Sequence, residues 1–222
     1  MAYRTNLVIF DCDGVLVDSE MIASRVFADH LSKHGYPCTE AESREKFTGW
    51  SLTSATAHVE REMGTSLPSD FLATLAVKDK AAFEEHLKPI PGIRETLNAL
   101  DVPFCVASSG EPWKIRNSLR LCNILNFFDD RMFSADQVAH GKPAPDLFLF
   151  AADRMNTTAE QCLVVEDSIA GVQAGVAAGM RVLGFTGGAH CGTDHAERLM
   201  KCGAHQVFSE MRTLLAIIND NT

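Results

Sequence analysis

Several features that mark other classes of protein are missing from this sequence of 222 residues. The seven cysteines stand singly, without a C-x-x-C pair, which argues against a disulfide scaffold and for reduced thiols. No apolar run approaches the length of a membrane span, and the opening MAYRTN has no signal-peptide pattern. The net charge of −9 disfavours a non-specific nucleic-acid or membrane partner. We therefore expect a cytoplasmic protein, monomeric by default, with an oligomer left open.

Three short apolar runs are present instead, at 7–10, 104–107 and 163–165. They are rich in β-branched residues and lack alternation, which is typical of strands covered on both faces in a parallel sheet. Helical patterns at 111–122 and 145–155 lie between them, so the sequence predicts a doubly wound α/β sheet. Each run ends in acidic or hydroxyl-bearing residues. Such sheets bind ligands at the carboxyl ends of their strands.

Residues 17–88 follow a different pattern, with apolar residues at helical spacing and no convincing strand. We therefore expect an all-helical insertion into an α/β domain formed by 1–16 and 89–222. The predicted helix starts and stops are Asp18 or Ser19, Gly35, a Thr39–Glu42 capping box, Gly64 and Ser69.

The segment DCDG, directly after the first run, places Asp11 and Asp13 two residues apart. Two unit charges about 4 Å apart repel by roughly 4 kcal/mol at an effective dielectric constant near 20, so the pair favours a cation. Mg²⁺ suits carboxylate ligands, and Asp167 could supply another from a different strand end. A plain turn stays open as the alternative. An EF-hand does not fit, because Val15 stands where a third ligand is needed.

Three further segments fall on the same predicted edge of the sheet. VASSG places hydroxyls before a helix, as an anion site or simply as a cap. GKPAPD places Lys142 just before another helix, where a lysine is otherwise a solvated surface residue. VVEDS places Glu166 and Asp167 after the third run, where helix capping is the alternative for Asp167 and Ser168. Together with the first acid pair, these groups form a constellation for handling a phosphoryl group.

The segments DCDGVLVDSE, VASSG, GKPAPD and VVEDSIAG resemble the four motifs of the haloacid dehalogenase-like superfamily, in the same order and over essentially the whole chain. The sequence is similar to its sugar-phosphatase and β-phosphoglucomutase branch, and most of all to 6-phosphogluconate phosphatase-like members. This resemblance implies a Rossmann-like core, a small helical cap domain and a small phosphorylated metabolite as substrate.

The resemblance also implies roles for the acidic residues. Asp11 would be the nucleophile that forms an aspartyl-phosphate, and Asp13 would act as general acid and base. Mg²⁺ would be held by Asp11, the backbone carbonyl of Asp13 and Asp167, with Glu166 as a variable ligand or a neighbour of the ligands. Neutralisation by the metal would let Asp11 approach a phosphate dianion.

The remaining motif residues would contact the phosphoryl group. Ser108 and Lys142 would stabilise its oxygens, and Ser109 and Gly110 would lie beside the substrate. Dehalogenases of this superfamily lack the second aspartate, so Asp13 favours phosphatase chemistry over dehalogenation.

The predicted helical insertion bears on the choice between phosphatase and mutase. In β-phosphoglucomutases, an arginine follows Gly-x-Ser and holds a second phosphate, whereas this chain reads Gly49, Trp50, Ser51 and Leu52. We therefore expect a phosphatase, with a sugar-phosphate mutase as the alternative. Trp50 and Ser51 are candidates for binding the leaving group, although Trp50 can equally be a packing residue.

Other readings of the motifs stay open at this point. Lys46 would serve as a Schiff-base lysine in a phosphonate-cleaving relative. A receiver-type phospho-accepting module also uses acids, a hydroxyl and a lysine, but the second aspartate and the helical insertion argue against it. A non-catalytic binding protein is disfavoured because no motif residue is missing. The eight histidines show no pair at metal spacing, and the glycine-rich segment 184–195 is predicted to be a loop.

Overall fold

The computed structural model describes residues 4–47 and 51–219. The chain divides into two compact units, one formed by residues 1–18 and 88–222 and the other by residues 19–87. The helical unit thus begins two residues after the expected 17 and ends one residue before the expected 88.

A six-stranded sheet forms the centre of the larger unit, and every pair of neighbouring strands is parallel. The strands are β1 Leu7–Phe10, β2 Phe104–Ser108, β3 Met132–Ser134, β4 Cys162–Glu166, β5 Arg181–Phe185 and β6 Gln206–Phe208. All residues of β1, β2, β4 and β5 are buried, as expected for strands covered on both faces. The sheet order is β3-β2-β1-β4-β5-β6, which confirms the predicted doubly wound, Rossmann-like core.

Ten α-helices occur in the described residues: α1 Glu20–Lys33, α2 Glu40–Phe47, α3 Leu52–Met63, α4 Phe71–His86, α5 Ile93–Ala99, α6 Pro112–Leu121, α7 Asp146–Arg154, α8 Ile169–Ala177, α9 His195–Lys201 and α10 Leu214–Asn219. The predicted helices at 111–122 and 145–155 correspond to α6 and α7. None of the helices in the described part of the chain is both long and apolar enough to cross a membrane.

The core of the larger unit joins the central strands to α7 and α8. Ile9 of β1 and Val164 of β4 pair in the sheet, and they pack with Leu147 of α7 and Val172 of α8. All four side chains are fully buried. Burial of one such aliphatic side chain stabilises the fold by roughly 1.5–3 kcal/mol. This packing holds the ends of β1 and β4 level with each other.

The smaller unit contains α1 to α4 and has its own apolar core, which includes Phe27, Leu31, Val59 and Leu75. No strand occurs among the described residues of 19–87, in agreement with the all-helical prediction.

Several predicted helix boundaries in this unit are confirmed. The backbone N–H of Glu42 donates to Thr39 Oγ1 at 3.2 Å, and Glu42 Oε2 accepts from the Thr39 N–H at 2.8 Å. These reciprocal bonds are the predicted capping box. Gly64 ends α3 with a φ of 67°, a left-handed conformation that glycine adopts without strain.

Other boundaries differ from the prediction. Ser19 precedes α1, but its side chain forms no cap hydrogen bond, and Asp18 instead accepts from the backbone N–H of Ala189 at 3.2 Å. Ser69 was predicted to cap the fourth helix, which is wrong because α4 begins at Phe71. The N–H of Phe71 donates to the carbonyl of Pro68 at 2.9 Å, so a turn comes before the helix.

Candidate active site

The predicted functional residues meet at the carboxyl ends of the central strands. Phe10 of β1 lies opposite Val106 of β2 and Val165 of β4, so the residues that follow these three positions lie at one level. The backbone N–H of Asp11 donates to the carbonyl of Val165 at 3.0 Å, which continues the β1–β4 pairing by one residue. β2 and β3 lie on one side of β1, and β4, β5 and β6 lie on the other side. The strand order therefore switches between β1 and β4, and sheets of this type bind ligands at such a switch point.

Lys142 is buried at this edge, with only 4% of its side chain exposed. Its Nζ donates to Asp11 Oδ1 and to Glu166 Oε1, both at 2.6 Å, and to the carbonyl of Ala107 at 3.0 Å. Burial alone would lower the pKa of Lys142, but the two carboxylates outweigh it and raise that pKa above its ordinary value. The ammonium is therefore held in place and charged, unlike a solvated surface lysine.

A group of three buried acids surrounds this lysine. Oxygens of Asp11, Glu166 and Asp167 lie within 4.8 Å of one another, and we call these residues the acidic cluster. Burial raises the pKa of both Asp11 and Asp167, and the neighbouring Glu166 carboxylate raises both further. Among the described residues, the cations in contact with these three carboxylates are at most two, the Lys142 ammonium and a protonated His190, so the cluster retains an excess of buried negative charge. Its donors are all oxygens, which fits a hard divalent cation such as Mg²⁺.

Glu166 is fixed by hydrogen bonds at both of its oxygens. Oε1 accepts from Lys142, while Oε2 accepts from the backbone N–H of Ser168 at 2.8 Å and from its hydroxyl at 3.0 Å. Gly171 lies directly against this carboxylate, because a Cβ there would stand 1.7 Å from Glu166 Oε1. Ser168 Oγ also accepts from the N–H of Gly171 at 3.0 Å and caps α8. Of the two residues considered as helix caps, Ser168 therefore caps α8.

Asp167 contacts two histidines that the sequence interpretation left without a role. Its Oδ2 lies 2.9 Å from His190 Nε2, and its backbone carbonyl lies 2.6 Å from His195 Nε2. Burial lowers the pKa of His190, but hydrogen bonds with Asp167 and Cys191 outweigh this and raise it to about 11. In the sequence, only their position after β5 indicates that these histidines lie near the site, because β5 ends at the same edge of the sheet.

The expectation that the histidines form no pair at metal spacing is wrong for the segment after β5. His190, Cys191 and His195 bring one ligand atom each within 4.8 Å of one another.

Gly14, in the loop after β1, has a φ of +80°, and a Cβ there would stand 1.9 Å from Asp167 Oδ2. Only glycine lets this loop pass so close to Asp167.

The other motif residues lie beside the acidic cluster. Ser108 is buried, and its Oγ accepts the N–H of Gly110 at 3.0 Å, while Ser109 is exposed. Asp13 is partly exposed, and its Oδ2 pairs with Lys114 Nζ at 4.0 Å. A Cβ on Gly110 would lie 3.8 Å from Asp13 Oδ2, so the loops after β1 and β2 meet there. Asp13 thus borders the site without its carboxylate joining the three clustered acids.

The candidate site residues of the helical unit either form hydrogen bonds within that unit or lie outside the described residues. Gly49 and Trp50 are outside the described ranges. Ser51 caps α3, because its Oγ accepts the N–H of Ser54 at 3.1 Å. Lys46 donates to the hydroxyl of Tyr36 at 3.1 Å.

Comparison with known proteins decides the family. A sequence model described as haloacid dehalogenase-like hydrolase matches residues 8–185. The chain belongs to the haloacid dehalogenase-like hydrolases. It is a phosphoric monoester hydrolase, and the resemblance drawn from its four motifs is confirmed.

Individual relatives match over most of their length. A 6-phosphogluconate phosphatase of Escherichia coli K12 is 36% identical over 188 residues, which are 84% of this chain and 85% of that protein. A phosphorylated carbohydrates phosphatase of Thermotoga maritima is 32% identical over 177 residues, or 78% of this chain and 81% of that protein. The crystal structure of a haloacid dehalogenase-like protein of unknown function from Agrobacterium tumefaciens C58 has a TM-score of 0.88 at 36% identity, covering 97% of this chain and 98% of that one.

Proposed function

We propose that this hydrolase is a Mg²⁺-dependent phosphatase of a small phosphorylated sugar or sugar acid, such as 6-phosphogluconate. The observation that carries the proposal is the buried contact of Lys142 with Asp11 and Glu166 at the ends of β1 and β4. This contact places an ammonium beside the carboxylate that would attack phosphorus. The positive charge there offsets the repulsion between an anionic nucleophile and the phosphoryl oxygens. The phosphatases of E. coli and T. maritima, by their names, support a carbohydrate phosphate as substrate.

The acidic cluster is the part of the site that would hold the metal. Asp11, Asp167 and the backbone carbonyl of Asp13 would be its ligands, with Glu166 close by. When bound, Mg²⁺ would offset the negative charge of the phosphoryl oxygens and allow an anionic nucleophile to approach a dianion.

Asp11 is the proposed nucleophile. Lys142 holds its Oδ1, so we expect Oδ2 to attack phosphorus and form an aspartyl-phosphate. The charged ammonium of Lys142 opposes the negative charge that gathers around the reacting carboxylate and the phosphoryl oxygens. Its bonds to Glu166 and Ala107 fix its position before the substrate arrives, so no reorganisation is needed during the reaction.

Asp13 is the proposed general acid and base. It gives a proton to the oxygen of the departing sugar as the bond from phosphorus to that oxygen breaks. Asp13 then takes a proton from water, which attacks the aspartyl-phosphate, releases inorganic phosphate and restores Asp11. Its partly exposed position beside Gly110 suits a residue that meets both a leaving alcohol and water.

The test is the release of inorganic phosphate from a panel of phosphorylated metabolites in the presence of Mg²⁺, with 6-phosphogluconate and hexose phosphates included. Asp11→Asn removes the nucleophile but keeps the size of the side chain, so we expect no detectable release. Asp153→Asn, an exposed aspartate of α7, is the matched control and should keep wild-type turnover.

Two results would contradict the proposal. Retained turnover in Asp11→Asn would exclude Asp11 as nucleophile. Formation of an isomerised sugar faster than free phosphate, after addition of a bisphosphorylated sugar, would identify a mutase instead.

A further inference from the structure

We propose that His190, Cys191 and His195 form a second metal site, for a thiophilic divalent cation of the Zn²⁺ type. The bound cation would also take Asp167 as a ligand and thereby inhibit turnover. We call these three residues the His-Cys cluster. Its effect on turnover rests on the proposed function, whereas its metal binding does not.

The His-Cys cluster lies in the segment after β5 and in the first turn of α9. One ligand atom of each residue lies within 4.8 Å of the others, and His190 Nε2 is 3.4 Å from Cys191 Sγ. His190 and His195 are buried and Cys191 is half-buried. An ion there would be shielded from bulk water, yet reachable from the side of the thiol.

The donor atoms distinguish this cluster from the acidic cluster beside it. Two imidazoles and a thiol are ligands that Zn²⁺ prefers, whereas Mg²⁺ prefers oxygen. Two neighbouring groups with different donors are therefore expected to select different metals. A fourth, oxygen ligand is at hand, because Asp167 Oδ2 lies 2.9 Å from His190 Nε2.

The contacts of His190 place three possible metal-binding atoms together. Nε2 faces Asp167 Oδ2 on one side and Cys191 Sγ on the other. A proton on Nε2 points to one of these acceptors at a time, while a cation in its place binds the nitrogen, the sulfur and the oxygen together.

His195 has the orientation that a metal-binding histidine requires. Its Nε2 is 2.6 Å from the backbone carbonyl of Asp167, and a donor bond there leaves Nδ1 without a proton. Histidines that bind metals usually donate their other ring N–H to a carbonyl or carboxylate in this way.

Zn²⁺ at the His-Cys cluster would engage the carboxylate that the proposed Mg²⁺ site also needs. We therefore expect Zn²⁺ to inhibit phosphate release and a chelator to restore it.

The binding test uses the metal-free full-length protein and Co²⁺ as a spectroscopic substitute for Zn²⁺. We expect the band of a thiolate-to-cobalt charge transfer in the near ultraviolet to saturate at one Co²⁺ per chain, and to be lost when Zn²⁺ is added. Cys191→Ser should lack the band and bind Zn²⁺ at least about tenfold more weakly in competition with a chromophoric chelator. Cys38→Ser, which removes a half-buried thiol of the helical unit, should behave as wild type.

His195→Gln provides a second variant, and Zn²⁺ should raise the melting temperature of the wild type more than that of either cluster variant. Absence of the charge-transfer band in the wild type, or its persistence in Cys191→Ser, would overturn the metal site. Equal inhibition of the wild type and Cys191→Ser by Zn²⁺ would instead assign the inhibition to the acidic cluster. A protein that binds Co²⁺ as described but releases no phosphate would contradict the proposed function and leave the metal site standing.

Discussion

Two ion networks in this chain each join a lysine to carboxylates, one of them buried and the other exposed to water. At the sheet edge, Lys142 contacts Asp11 and Glu166 at 2.6 Å, and its side chain is 4% exposed. In the helical unit, Lys46 pairs with Glu62 at 3.7 Å, with side chains that are 48% and 44% exposed. The chemistry of the partners is alike, and burial separates the two cases.

Burial changes what each network can do. Taking charges out of water costs more than a simple pair returns, so a buried network of this kind is weak evidence for stability and stronger evidence for function. An exposed pair is screened by water and contributes little in either respect. The difference agrees with the proposed role of Lys142 beside Asp11, whereas Lys46 is a surface charge.

The largest expected effect comes from Lys142→Met, which keeps the length of the side chain and removes its charge. It leaves Asp11 and Glu166 buried without their cation, so we expect the free energy of unfolding to fall by roughly 3–5 kcal/mol. Loss of the positive charge should lower kcat for phosphate release by about 10²- to 10³-fold. Urea denaturation and a phosphate-release assay measure the two effects.

Lys46→Met is the matched control for this comparison. We expect little change in the free energy of unfolding, because water already screens the pair with Glu62. Equal destabilisation by the two substitutions would show that burial does not separate the networks.

A smaller effect is expected from Gly171→Ala, which disturbs the same buried network without removing a charge. The added Cβ would stand 1.7 Å from Glu166 Oε1, so the carboxylate must move away from Lys142. We expect a loss of about 1–3 kcal/mol in the free energy of unfolding and a lower kcat. Gly141→Ala is the control, since its Cβ would meet only Ala135 at an ordinary 3.7 Å. Equal losses of unfolding free energy in Gly171→Ala and Gly141→Ala would mean that Glu166 is not held against α8.

The fold was largely predictable because its central strands are buried on both faces. The run at 7–10 matches β1 residue for residue, and the run at 163–165 lies within β4. β3 and β6, with three residues each, are too short for such a pattern to stand out. Ser69 was assigned the wrong role because Pro68 adds a turn that local cap rules do not anticipate.

The site was predictable where side chains follow strands and less so where loops return to them. Asp11, Glu166 and Asp167 directly follow or end strands, so their meeting follows from the parallel sheet. Lys142 has a local sequence like that of many surface lysines, and only the path of the chain buries it. His190 and His195 were missed because the segment after β5 folds back onto Asp167 through contacts between residues far apart in sequence.

The smallest effect concerns two histidines of the helical unit, one buried and one exposed. His30 donates through Nε2 to the carbonyl of Phe71 at 3.1 Å, and its Nδ1 accepts from Lys78 Nζ at 2.6 Å, so the neutral ring uses both nitrogens. Burial lowers the pKa of His30, and the charge of Lys78 lowers it further. The unfolded chain, with an ordinary histidine pKa of about 6.5, therefore binds more protons than the folded protein just below that pH.

Stability contributed by neutral His30 is thus present above about pH 6.5 and is lost as the pH falls towards the lowered folded pKa. His30→Gln keeps a donor and an acceptor but does not titrate, so the free energy of unfolding should fall less steeply between pH 7 and pH 5 than in the wild type. Urea denaturation at several pH values measures this slope. His86→Gln, on the exposed end of α4, is the control for replacing a histidine of this unit by glutamine. A wild-type slope in His30→Gln would show that the buried ring accepts a proton as readily as an exposed one, and would contradict the rule that burial decides what these ionisable groups do.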